Sequence, residues 1–100
     1  MVHIITVITA HPGKRAELLA AFVEELPLVH KEKGCIEYQP VTDMDGASTS
    51  QALLGEDAYM VIEKWDSMED VRAHAASDHM ARFQQKAGHL VANRKVHILN

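Results

Sequence analysis

The segment spanning residues 59–79 most constrains the fold, because within it the chain passes from a strand to a helix in two residues. Side chains alternate along a strand, so Val61, Glu63 and Trp65 share one face while Met60 and Ile62 share the other. A carboxylate and the only tryptophan of the chain therefore stand side by side. Ser67 then offers an N-cap hydroxyl, with Asp70 in the first helical turn to complete the start signal. His74 and His79 follow on helical sequence that can fold back over the strand. Chemistry is expected here.

The rest of the chain supplies partners for that strand. Residues 3–11 are rich in β-branched side chains, and both faces, Ile4-Thr6-Ile8 and Ile5-Val7-Thr9, are largely apolar. A sheet wet on one side shows cleaner alternation, so both faces are expected to be covered. Pro12 and Gly13 end the strand, and a helix is expected over 14–33. There Leu18, Leu19, Phe22, Val23 and Leu26 recur at three- and four-residue spacing. Pro27 falls inside this pattern and predicts a kink or a split near Leu26. Gly34 suits a left-handed terminator.

A second strand is expected over 35–42, at a sheet edge or interrupted, because Pro40 cannot donate to a ladder. Residues 43–57 read as a long loop. Asp43, Asp45 and Gly46 resemble a calcium-loop fragment, but the final glutamate such a loop requires falls on Ala52, which excludes calcium. After the strand at 58–65, helices are expected over 68–76 and from a Ser77–Asp78 cap to Ala87, with Gly88 as the stop. A last strand spans 95–99. The order β-α-β-β-α(α)-β is the split β-α-β, ferredoxin-like arrangement of the α+β class with an antiparallel sheet. Helices on one side of such a sheet leave an apolar face open, and a second copy packed face to face is the simplest cover.

One hundred residues suit a single domain over 1–100, and the apolar content of 47% is that of an ordinary globular chain. The formal net charge of −4 argues against nucleic acid or an anionic membrane as partner. Cys35 alone cannot form an internal disulfide and fits a reducing cytoplasm. No secretory pattern or membrane-spanning apolar run is visible, so a cytoplasmic protein is expected.

The strand end Glu63-Lys64-Trp65, the helix start Ser67-Met68-Glu69-Asp70 and the segment from Ala73 through His74 and Ser77 to His79 resemble the antibiotic biosynthesis monooxygenase (ABM) domain. The turn at Pro12-Gly13-Lys14-Arg15 and the approach to strand two, from Lys33 through Gly34 to Tyr38, are similar to the same family. The resemblance covers nearly the whole chain. It implies a dimeric α+β barrel of ferredoxin-like subunits, each with a pocket between sheet and helices. It further implies oxidation of a quinol- or anthrone-type aromatic by molecular oxygen, without flavin, haem or metal. Other branches of the family degrade haem or act on a small phosphorylated quorum-sensing sugar derivative. The haem-degrading pattern, a strand-one asparagine with a helical histidine, meets Thr6 and Gln84 here, which argues against haem.

The five glycines form neither a dinucleotide fingerprint nor a phosphate loop, consistent with a reaction that uses no cofactor. Such a reaction needs a base to deprotonate the phenol and a dry aromatic wall to hold it. Histidine suits the first task, with an ordinary pKa of about 6.5. His79 and His74 are therefore the candidate bases and Trp65 the candidate wall. Glu63, Tyr38, Met80 and Phe83 are the candidate substrate-binding residues, although Tyr38, Met80, Phe83 and Trp65 equally suit a plain core. The five-residue separation of His74 and His79 does not bring them to one face of a single helix, so no metal site is expected. Two alternatives stand beside the oxygenase: the phosphosugar branch, supplied with cations by Arg72, Arg82, Arg94 and Lys95, and a non-catalytic ligand-binding stress module.

Overall fold

The computed structural model describes residues 1–100. Four strands, β1 (Val2–Ala10), β2 (Cys35–Val41), β3 (Ala58–Trp65) and β4 (Val91–Leu99), form one antiparallel sheet in the order β2-β3-β1-β4. Three helices, α1 (Arg15–His30), α2 (Met68–Ala75) and α3 (Asp78–Ala87), accompany it, and a 3-10 turn (Gly88–Leu90) leads into β4. This is the ferredoxin-like α+β arrangement read from the sequence.

The two central strands decide where the core sits. Ile4, Thr6 and Ile8 of β1 stand opposite Glu63, Val61 and Tyr59 of β3. All six are buried under the helices. Leu18, Phe22 and Val29 of α1 meet them, at helical spacing that keeps all three on one side. Ile5, Val7, Met60 and Ile62 point the other way and are only half-buried. Within one chain a single face of the sheet is covered, not both.

Two boundaries differ from the sequence reading. Pro27 does not split α1, which is one element from Arg15 to His30. Pro27 and Val23, whose carbonyl the proline leaves without its helical donor, are both exposed. Buried Phe22 and Val29 on either side hold both halves to the sheet. β4 begins at Val91 rather than Lys95. Its early residues pair with Thr9 and Ala10 across a register shift, and because the strand is an edge with mostly exposed side chains, apolar alternation could not reveal it. Pro40 lies on the other edge strand, as its missing donor requires.

The junction after β3 forms as its sequence dictates. The Ser67 hydroxyl accepts from Asp70 N at 3.2 Å and donates to the Asp70 carboxylate at 3.1 Å. Ser77 breaks the helical run and starts the next: its hydroxyl donates to the His74 carbonyl at 2.7 Å and accepts from Met80 N at 3.4 Å. The chain over 42–57 has no helix or strand, and the Asp43 carboxylate ties its end by accepting from Leu54 N and Gly55 N, both at 2.9 Å. Those two bonds hold the Asp43 carboxyl below its usual pKa.

Gly34 turns the chain from α1 into β2 with φ of 83°, and a Cβ there would stand 2.1 Å from the Asp70 carboxylate. Gly34→Ala therefore strains the backbone and forces Asp70 off Ser67. A loss of about 2 kcal/mol is expected, read as a lower urea midpoint at an unchanged slope.

Candidate active site

A cavity of about 370 Å³ lies between the sheet and α3, and ten of its fifteen lining residues are apolar. Phe22 and Phe83 come from the helices, and Tyr38, Tyr59 and Val61 from the sheet. Their rings lean on one another: Phe22 stacks on Tyr38 at 5.6 Å and meets Phe83 edge-on at 6.0 Å. Such a slot has the shape and surface for a flat aromatic guest.

Its polar groups are few. Glu63 is buried and accepts from the Trp65 indole nitrogen at 2.9 Å. Burial raises the Glu63 pKa above its ordinary value, and the indole bond and the neighbouring His74 offset only part of that. Tyr59 is fully buried and its hydroxyl has no partner in the chain. Burial also lifts the phenol pKa of Tyr38 and Tyr59, so both hydroxyls remain protonated donors. Arg94 reaches the cavity from β4 and forms no ion pair. An unpaired buried hydroxyl is costly in an empty fold and useful to a ligand.

His74 stands where the cavity meets the helices. Its ring lies 4.9 Å from Trp65 and 5.2 Å from Tyr38, centre to centre. His74 Nδ1 is 2.6 Å from a carboxylate oxygen of Glu32, in the turn between α1 and β2, and His74 Nε2 has no partner in the chain. The other Glu32 oxygen is 3.3 Å from His79 Nε2. An ionised carboxylate can only accept, so beside it a neutral imidazole favours the hydrogen on Nδ1 and the lone pair on Nε2. Such an imidazole can present a lone pair as a proton acceptor.

The comparisons with known proteins bear on the family. The family model for antibiotic biosynthesis monooxygenase matches residues 1–86. The chain belongs to the antibiotic biosynthesis monooxygenase family. It is 31% identical to the probable quinol monooxygenase YgiN of Escherichia coli K12, over 99% of this chain and 96% of that protein. The crystal structure of PA3566 from Pseudomonas aeruginosa superposes with a TM-score of 0.82 at 23% identity, covering 98% of this chain and 90% of the other. Rv0793 from Mycobacterium tuberculosis gives 0.79 at 21% identity, with coverage of 99% and 92%. At these identities the two structures establish the shared fold alone.

Within this ABM fold, five of the seven residues singled out from sequence, Tyr38, Glu63, His74, Met80 and Phe83, border the cavity. Trp65 lies behind the wall, fully buried, and reaches the cavity through its bond to Glu63. His79 does not border it and turns to Glu32 and, at 3.3 Å, the Ser77 hydroxyl. The two histidines occupy different helices, so their spacing in sequence does not keep them apart. The break at Ser77 brings their ring centres to 6.5 Å. Sequence reasoning missed Glu32 and Tyr59. Nothing local marks Glu32, which sits between Lys31 and Lys33 and lies 42 positions from its histidine. Tyr59 was readable, since strand alternation puts it on the Glu63 face. Cys35 stays outside this chemistry, its thiol pushed up to about 11 chiefly by burial.

The shifted Glu63 carboxyl makes a stability prediction. A folded pKa above the unfolded one means that the native chain holds the extra proton, so stability falls as pH rises from the ordinary value of 4.5 through the raised one. Glu63→Gln removes that burden and keeps an acceptor for Trp65. Urea unfolding is expected to show the variant more stable than the parent at pH 7, with the gap closing below pH 4.5.

Proposed function

We propose that the protein is a cofactor-independent monooxygenase that oxidises a quinol- or anthrone-type aromatic with molecular oxygen. The observation that carries the proposal is the His74 imidazole, held by Glu32 at Nδ1 and bordering an apolar cavity. His74 Nε2 takes a proton from the substrate hydroxyl, or from its carbon tautomer. The electron-rich anion passes one electron to oxygen, and the two radicals recombine as a ring hydroperoxide. Loss of water leaves the oxidised product. One oxygen atom ends on carbon and the other leaves as water, and the substrate supplies all four electrons and both hydrogens of that water.

The remaining groups suit the same guest. Tyr59 offers a hydrogen bond to a second substrate oxygen, and the rings of Phe22, Tyr38 and Phe83 keep the intermediates from water. A phosphorylated sugar fits poorly. Of the four cations that could serve its phosphate, only Arg94 borders the cavity, and the Glu63 carboxyl shares the space. The similarity to a probable quinol monooxygenase supports the aromatic substrate. On the outer sheet face, Ile5, Val7, Met60 and Ile62 lack a cover within the chain, which supports a homodimer joined through that face. The single free Cys35 supports a cytoplasmic setting, and no helix is long and apolar enough to cross a membrane.

Oxygen uptake by the purified chain with a panel of hydroquinones and anthrones tests the proposal. His74→Ala is expected to lower kcat about 100-fold or more, and Glu32→Gln by a smaller factor in the same direction. Tyr59→Phe is expected to raise KM about tenfold with kcat little changed. Binding of the aromatics without oxygen uptake above autoxidation leaves a ligand-binding module. No binding and no uptake rejects the aromatic altogether.

A further inference from the structure

The Glu32 carboxylate meets two imidazoles, and the donor atoms of Glu32, His74 and His79 all lie within 4.8 Å of one another. We propose that these three residues bind a divalent first-row transition cation of the zinc class, and that the bound cation switches the His74 base off. The binding stands on the donor set alone; the effect on catalysis rests on the role given to His74 above.

Two imidazole nitrogens and one carboxylate oxygen are a donor set of the kind that holds zinc, with a fourth position left for water. Tetrahedral ligands at about 2.0–2.1 Å from zinc stand about 3.3 Å apart. The His79–Glu32 pair stands at 3.3 Å on one carboxylate oxygen and the His74–Glu32 pair at 2.6 Å on the other. With all three donors within 4.8 Å, the side chains have to shift by up to about 1.5 Å to share one cation. The donors are also held from three directions. Glu32 is fixed in its turn by its own amide on the Val29 carbonyl at 3.0 Å and by Cys35 N on its carbonyl at 3.2 Å. His74 ends α2, His79 opens α3, and the Ser77 hydroxyl joins the two helices. The three side chains are largely shielded, with 9%, 15% and 16% of the His74, His79 and Glu32 surfaces exposed. A groove of about 240 Å³ leads in from solvent past Glu69 and Asp70, whose carboxylates favour a cation, with Lys33 at its side.

The chemical consequence follows from the tautomer. With Glu32 alone, the His74 hydrogen sits on Nδ1 and Nε2 keeps its lone pair. A cation on Nδ1 displaces that hydrogen, and a neutral imidazole bound through one nitrogen carries its hydrogen on the other. Nε2 then carries the hydrogen and cannot take a proton from a phenol. The same carboxylate that orients the base also completes the site that silences it.

Calorimetric titration of the chelator-stripped full chain with zinc chloride tests the binding. One zinc per chain is expected, and His79→Ala and Glu32→Gln are each expected to weaken it about 100-fold. Thermal melts without zinc verify that both variants are folded, and only the parent is expected to gain melting temperature with zinc. No saturable uptake at one equivalent overturns the proposal. So does an affinity that both changes leave intact, which would move the zinc to His3, His11, His30, His89 or His97. In the oxygen assay, stoichiometric zinc is expected to stop uptake and a chelator to restore it; uptake that continues with zinc bound overturns the switch. A chain that binds one zinc through these residues but oxidises no aromatic overturns the oxygenase reading and leaves the metal site standing.

Discussion

The Glu32 carboxylate bridges three pieces of the molecule that are far apart in sequence. One oxygen meets His74 at the end of α2, the other meets His79 at the start of α3, and the residue itself sits in the turn that connects α1 to β2. Its charge gives each imidazole a fixed orientation in a part of the fold where water is mostly excluded, so the interaction is stronger than at an open surface. Without this bridge, the His74 ring could present either nitrogen, and the two short helices would lose a side-chain tie to the turn beneath them.

Packing elsewhere supports that one point. Trp65, buried behind the cavity, supports the His74 ring with its face and the Glu63 carboxylate with its N–H. Gly34 lets the turn pass so close to α2 that any side chain would strike Asp70, which also brings Glu32 beneath His74. The costs of the site lie together: a carboxyl with raised pKa at Glu63 and an unpaired hydroxyl at Tyr59. A chain that folded for stability alone would fill these positions with apolar side chains. Their presence on the wall of a mostly apolar cavity marks it as the candidate site.

Much of this was legible in the sequence because it follows from local rules. Strand alternation put Val61, Glu63 and Trp65 on one face, the caps at Ser67 and Ser77 marked both helix starts, and Gly34 marked its turn. The resemblance carried by Glu63 to Trp65 and by Ala73 to His79 pointed to the correct family. What was not legible depends on tertiary contact. The partnership of Glu32 with His74 spans 42 positions, and no local pattern distinguishes that glutamate from the others on α1 or in its turn. The nearness of His74 and His79 was hidden as well, because the way two successive short helices turn about Ser77 is set by tertiary packing. The start of β4 was hidden for a further reason: an edge strand with little cover carries no hydrophobic period.

If Glu32 orients His74, the imidazole hydrogen sits on Nδ1 and Nε2 is free to act as base. Nitrogen-15 NMR of the histidine side chains, in metal-free protein at a pH where His74 is neutral, reads this directly. His74 Nδ1 is expected to carry the hydrogen and Nε2 none, and Glu32→Gln is expected to abolish this preference. A hydrogen on Nε2 in the parent protein, or a tautomer that ignores the loss of the Glu32 charge, would contradict it.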